Sequence, residues 1–333
     1  IVVLAPTLSA AQVSLLELKN SLVQFALEQI STPDEFVVTA AGVEEPEDGV
    51  TDLVELTIAD GRGVWLTAER LSMRWNPSRL LAGQLEINQL AAIGVRVLRS
   101  PEPSGVDIEL NEDSAFAQSD GDPFDWPRSP IALLVEEIAL VDMRVAGGVL
   151  SPQPVALDAN GAFRDEGSEQ SARLDVTRTD AIEGEILLDY LRDFDAETLR
   201  LNISAAEAAG GLTAALAGLP DDSASRLEIE ADGPLSDWRI EIGASADAVF
   251  EADGAATLSN EGRLAVAASF QVTPGDAMDQ TLAQALSPQA RIDVRIEEGD
   301  NGLVVVEEGA LRARDIDLSV RGSYANPTRQ MYF

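Results

Sequence analysis

Between Val54 and Pro103 apolar and polar residues take turns, and this two-residue period constrains the fold more than any other feature of the chain. Val54, Leu56 and Ile58 alternate with Glu55 and Thr57, which places successive side chains on opposite faces of an extended strand. Asp60-Gly61-Arg62-Gly63 supplies a hairpin turn. The return strand ends with Leu71, Met73 and Trp75 on one side and Ser72 and Arg74 on the other. Asn76-Pro77-Ser78 breaks it, Arg79 to Ala82 suits a single helical turn, and Gly83 releases the chain. Leu85 and Ile87 resume the alternation, and Ile93, Val95 and Val97 oppose Gly94 and Arg96.

The same texture continues. Strands are expected at Ile131 to Val135, Ile138 to Val145, Val149 to Leu157 and Arg173 to Thr177, with a turn region at Gly161 to Gly167. Two more flank a polar break at Arg192 to Ala196. Leu227 and Ile229 open another, and Gly233-Pro-Leu-Ser-Asp-Trp238 is a turn that sets an aromatic ahead of the Ile240 and Ile242 strand. Later strands fall at Ile292 to Ile296, Leu303 to Val306 and Leu318 to Gly322. Helices are expected in three places. Ser14-Leu-Leu-Glu17 is a capping box that opens an amphipathic helix over 14–31, and Ser204-Ala-Ala-Glu207 is a second one before Leu212. The third helix runs from Asp276 to Leu286.

Composition removes whole classes of chemistry. Histidine and cysteine are both absent, which excludes a disulfide framework, zinc hydrolysis and the Ser-His-Asp and Cys-His mechanisms. The only lysine is Lys19, in the first helix, so a lysine-based mechanism is not expected. A formal charge of −35 repels polyanions and argues against nucleic acid as a partner. Asp120, Asp122 and Asp125 lack the rest of an EF-hand pattern, so neither a metal nor a cofactor is expected. A carboxylate glycosidase is not excluded, but no acidic pair stands out by its spacing.

Three regions are expected along the chain. Residues 1–12 resemble the tail of a secretory signal or membrane anchor, with a plain buried strand as the other reading. Residues 13–32 form the amphipathic helix, whose apolar stripe suits a packed face or a membrane surface. Residues 33–333 form an elongated sheet region that continues past Phe333, with a linker or loop over 101–130.

The fold class is therefore mostly β: short strands at short spacing, few helices and a thin Ala/Val/Leu apolar side. A long sheet with one apolar face must hide it by folding over, by a helical cover or by an apolar ligand. A curled sheet with an apolar trough suits acyl chains, because each buried methylene contributes about 0.8 kcal/mol without directional contacts. The residues expected to line it are Val54, Leu56, Ile58, Leu71, Met73, Leu85, Ile87, Val95, Val97, Leu227, Ile229, Ile240 and Ile242. The alternation changes parity at each break, which leaves the inward face of each strand open. Trp65 and Trp75 suit packing posts at strand ends.

An ordered set of residues in the first stretch carries a family resemblance. Leu56, Ile58, Asp60 and Gly61 are followed by Trp65-Leu66, and then by Trp75, Pro77, Leu80-Leu81, Gly83, Leu85 and Ile87. Together they resemble the N-terminal region of the TamB family, the translocation and assembly module subunits of the AsmA-like superfamily. Trp126-Pro127, Leu174-Asp-Val-Thr-Arg178, Glu207 to Leu212 with Leu219-Pro220, and Gly233 to Trp238 extend the likeness in the same order. The resemblance implies a β-taco fold in a protein of the Gram-negative periplasm, anchored to the inner membrane by its N-terminus. It implies phospholipid acyl chains as cargo, conducted between the two membranes, and no catalytic residues. It also implies an outer-membrane TamA-like partner, engaged through a region absent from this sequence. The alternative role it implies is a scaffold or chaperone for outer-membrane protein and autotransporter assembly.

Overall fold

The computed structural model describes residues 37–47, 49–101, 131–213, 223–260, 263–299, 303–325 and 330–332. Expectations for the segment 1–12, the helix 14–31, the loop 101–130 and its aspartates lie outside these residues.

The described chain is mostly β: one long, twisted and curled sheet. In chain order its strands are β1 (Val37–Glu44), β2 (Val50–Asp60), β3 (Gly63–Trp75), β4 (Gln84–Ile93), β5 (Arg96–Val97) and β6 (Ala132–Val145). Then come β7 (Val155–Asp165), β8 (Glu169–Arg178), β9 (Gly184–Asp193), β10 (Thr198–Glu207), β11 (Ser225–Pro234) and β12 (Trp238–Ala246). The last are β13 (Phe250–Asn260), β14 (Leu264–Pro274), β15 (Ala290–Glu298), β16 (Leu303–Arg312), β17 (Asp317–Ala325) and β18 (Gln330–Tyr332). Each strand from β6 onward pairs antiparallel with the next, so the sheet grows by hairpin addition. One junction differs: β6 lies parallel to β4 and β5. Parallel neighbours cannot be joined by the tight turns that link the antiparallel strands.

The hairpin at Asp60 to Gly63 forms as expected, with the Asp60 carboxylate accepting from the Arg62 amide at 2.8 Å. Pro77–Ala82 is a 3-10 turn capped by the Asn76 side chain and closed by Gly83 at φ 74°. The helix expected from Asp276 is Gln280–Leu286, N-capped by Asp279. Other expectations are corrected. Ser204 to Glu207 closes strand β10, because its alternation pairs with β9 and β11 along the whole strand; the expected helix begins only at Leu212 and Thr213, where the Glu207 side chain accepts from the Thr213 amide. Gly161 to Asp165 belongs to β7, and the turn comes only after it. The two strands expected at 131–145 are one, β6, in which Glu136 and Glu137 form a bulge. Among the described residues no helix is long and apolar enough to cross a membrane.

A line of left-handed residues crosses the first strands. Glu55 in β2, Gly94 after β4 and Asp142 in β6 have φ of 53°, 66° and 52°, and the strand registers align them through Glu69. Such a residue reverses the parity of the side chains that follow it. The amide of Asp142 is held by the Asp158 carboxylate at 2.7 Å, and Arg144 donates to the Asp142 carboxylate at 2.9 Å. At Gly94 a Cβ would lie 2.5 Å from the Glu69 side chain.

Gly94→Val forces a β-branched residue into this geometry and is expected to cost about 1–3 kcal/mol. Gly42 has open space around it, and Gly42→Ala leaves stability near the wild-type value. Urea midpoints check both; equal midpoints would remove Gly94 from the parity line.

Candidate functional site

Residues opposite each other in a ladder project to the same face, so the registers trace each face across the sheet. Ile87 lies opposite Val135, Val135 opposite Phe163, and Phe163 opposite Ala172. The same row continues through Tyr190, Leu201, Ala231, Ile240, Ala256 and Ala268 to Val294 on β15. At a strand spacing of about 4.8 Å it runs for roughly 50 Å. The row beside it holds Leu90, Ile138, Gly161, Leu174, Leu188, Ile203, Ile229, Ile242, Gly254, Phe270 and Ile292. In these rows the only polar side-chain atom is the Tyr190 hydroxyl, which donates to Gln170 Oε1 at 3.1 Å.

The opposite face is polar. Arg226, Glu228, Glu230 and Asp232 on β11 face the same way as Arg239 and Glu241 on β12. Hence one face is a continuous apolar surface and the other is charged.

The expected lining residues fall on the apolar face, with one exception. Leu56, Ile58, Leu71, Met73, Leu85, Ile87, Val95, Val97, Leu227, Ile229, Ile240 and Ile242 are placed there by register and packing. Val54 is not. Leu53, 8% exposed, packs with Leu56, Ala68 and Val95, because the left-handed Glu55 reverses parity between Val54 and Leu56. The sequence contains no signal for this reversal, since a glutamate inside a strand does not announce a positive φ.

No second layer of the described structure covers this surface. Buried residues such as Ile87, Val135 and Val145 are scattered along the sheet, and two small clusters form among them. One is Leu53, Leu56, Ala68 and Val95; the other is Tyr190, Leu199, Ala231, Leu235 and Trp238. Trp238 acts as a packing post at a strand end, its indole donating to the Leu199 carbonyl at 2.8 Å. Trp75 lies opposite Ile87 at the end of β3. Elsewhere apolar side chains stay half-buried or open, as at Leu174, Ile186, Leu318 and Val320.

The rims of the apolar face carry polar groups that sequence reasoning missed. On one rim Arg178 pairs with Asp180 at 2.8 Å and with Glu207. Glu207 also accepts from the amide of Thr213 at 2.8 Å and its hydroxyl at 3.0 Å, while Asp180 accepts from the amides of Ala156 and Ile182, each at 3.0 Å. Burial would raise both carboxyls, but these hydrogen bonds outweigh it, and both are held below the ordinary carboxylate range. Burial likewise opposes the charge on Arg178, and its two carboxylate partners raise it regardless.

The other rim holds Asp165, Gln170 and Arg192, all buried and in one row of partners. Gln170 donates to Asp165 at 3.2 Å, and the Gly167 amide donates to the same carboxylate at 3.1 Å. Burial raises the Tyr190 hydroxyl above its ordinary value. No cluster of metal-ligating side chains occurs among the described residues.

Comparisons with protein families, with curated proteins and with solved structures find no match.

Two measurements check this geometry. The chain has no cysteine, so single cysteines report each face directly. A charged thiol reagent is expected to label Val54→Cys in the folded protein and Leu53→Cys only after unfolding; equal labelling would overturn the parity reversal. The rim network is expected to contribute to the acid stability. Carboxyls depressed in the folded state contribute stability that is complete above their unfolded values and lost as pH falls through the folded ones. The protein is therefore expected to weaken below about pH 4. Glu207→Gln, which leaves Arg178 with Asp180, is expected to cost about 1–3 kcal/mol at neutral pH and to flatten that acid slope. An unchanged slope in acid titrations of unfolding would show that Glu207 does not set it.

Proposed function

We propose that this protein is a conduit for the acyl chains of phospholipids in the envelope of a Gram-negative bacterium. The observation that carries the reading is the unbroken apolar face running from β2 to β15, open among the described residues and bordered by polar rims. A contiguous apolar surface of this extent on a charged protein calls for an occupant. Acyl chains fit because they need no directional partner and can slide between equivalent positions along a row of Leu, Ile, Val and Ala.

The TamB-like residues support the same reading. Leu56, Ile58, Trp75, Leu85 and Ile87, which carry the resemblance, lie on or beside the apolar face. On this reading the protein sits in the periplasm, held to the inner membrane by a segment at its N-terminus. It delivers lipid toward an outer-membrane TamA-like partner through a more C-terminal region. No catalytic step is required, since transfer needs only a continuous apolar path.

One observation favours a second role, as a scaffold for outer-membrane protein assembly. From β6 onward the sheet is extended one antiparallel strand at a time, the mode by which an added barrel strand would be received. Crosslinks from the sheet to nascent barrel strands, with no bound lipid, would favour that role.

Native mass spectrometry of the gently purified protein is expected to show co-purifying phospholipid. Ile229→Asp and Ile242→Asp, opposite each other on the apolar face, are expected to abolish it. Glu241→Gln on the polar face should leave it unchanged. Lipid-free protein, or undiminished lipid in both aspartate variants, would defeat the conduit reading.

A further inference from the structure

Arg192 is 6% exposed, yet its Nε and Nη1 atoms are buried without a hydrogen-bond acceptor. No carboxylate lies within ion-pair distance of it among the described residues. The buried carboxylate of the same rim, Asp165, is engaged by the Gln170 side chain and the Gly167 amide. Gln170, which stands between Arg192 and Asp165 in the register, makes its side-chain hydrogen bonds to Asp165 and to the Tyr190 hydroxyl and none to Arg192 Nε or Nη1. The guanidinium lies over the Phe194 ring, with Cζ 5.3 Å from the ring centroid.

A buried guanidinium is normally retained only with an anion, since taking the charge out of water is otherwise uncompensated. Arg178 illustrates the usual arrangement, with two carboxylates on it. Arg192 lies one row outside Tyr190, at the end of β9 beside the β9–β10 turn and opposite the buried Leu199. A planar fork of N–H donors with free valence suits a phosphate better than any neutral group. The −35 charge of the chain keeps free anions away in general, so an anion at this position must bring apolar binding energy with it.

We propose that Arg192 is the headgroup site of the trough: it binds the phosphate of a phospholipid whose acyl chains lie on the Tyr190 and Leu188 rows. The proposal rests on the conduit reading above and adds the chemistry and the place of the headgroup. The phosphate takes the Nε and Nη1 donors by displacing the Phe194 ring. The tails leave the rim across Tyr190, Leu201 and Leu188, which are in or against the same apolar cluster. The opposite rim offers no such site, because the Arg178 donors are already paired.

The test is binding of three probes to delipidated protein: dihexanoyl phosphatidic acid, dihexanoylglycerol with the same tails and no phosphate, and inorganic phosphate. Wild type is expected to bind the phosphatidic acid about tenfold more tightly than the glyceride, the gain of one charge-assisted contact. In Arg192→Met that preference should vanish while glyceride binding persists, and Arg192→Lys should keep part of it. Without ligand, Arg192→Met is expected to have a urea midpoint at least equal to wild type, because no paired charge is lost. A preserved preference in Arg192→Met, or a lower midpoint showing that Arg192 only props Phe194, overturns the headgroup site and leaves the conduit standing. Tight binding of inorganic phosphate alone overturns the lipid as its source. Failure of both lipids to bind in wild type overturns the conduit itself.

Discussion

Everything in this structure depends on the main-chain ladder that joins each strand to the next. A sheet that grows by adding hairpins has no second layer to press against, so its order comes from backbone hydrogen bonds and from side chains touching across adjacent strands. The ladder fixes which residues lie opposite each other. Through that it decides that Ile87 and Val294, ten strand neighbours apart, belong to the same row. The curl of the sheet shields its apolar face only in part, and the buried clusters sit where a tryptophan or a change of parity adds contacts. Stability is thus spread along the sheet, each strand depending mainly on its neighbours.

The places where the ladder is irregular are the informative ones. Left-handed Glu55, Gly94 and Asp142 stand in register across neighbouring strands, and the extra residue this creates is absorbed between β6 and β7. A second irregularity, at Asn88 and Gln89 in β4 and at Glu136 and Glu137 in β6, is stitched by two side-chain bonds. Asn88 donates to Glu136 at 3.1 Å and Gln89 to Glu137 at 3.2 Å. Both bends lie around the one parallel junction. They let the apolar face continue unbroken across a change in strand direction, which a flat regular ladder would not do.

Polar groups sort themselves by the same logic. Charges on the outer face are solvated and contribute little individually. Those drawn to the rims are paired in full at Arg178, while Arg192 is buried without a carboxylate among the described residues. This asymmetry makes the two long edges of the apolar surface chemically different.

The sequence by itself determined the mostly β class, the Asp60 to Gly63 hairpin, the Pro77 turn, and most residues of the apolar face from Leu56 to Ile242. These follow from local alternation and from turn chemistry, which need no distant partner. It misassigned Ser204 to Glu207, because a capping-box pattern is cheap to form by chance and pairing with β9 and β11 outweighs it. It misplaced Val54, because a positive φ at Glu55 is imposed by the aligned irregularities in neighbouring strands and leaves no trace in residue type. Only the tertiary structure decided the parallel pairing of β4 with β6, the common face of strands far apart in the chain, and the burial of Arg192 without a carboxylate. Each of these is a property of registers between strands, and an alternating pattern is the same in every register that preserves its parity.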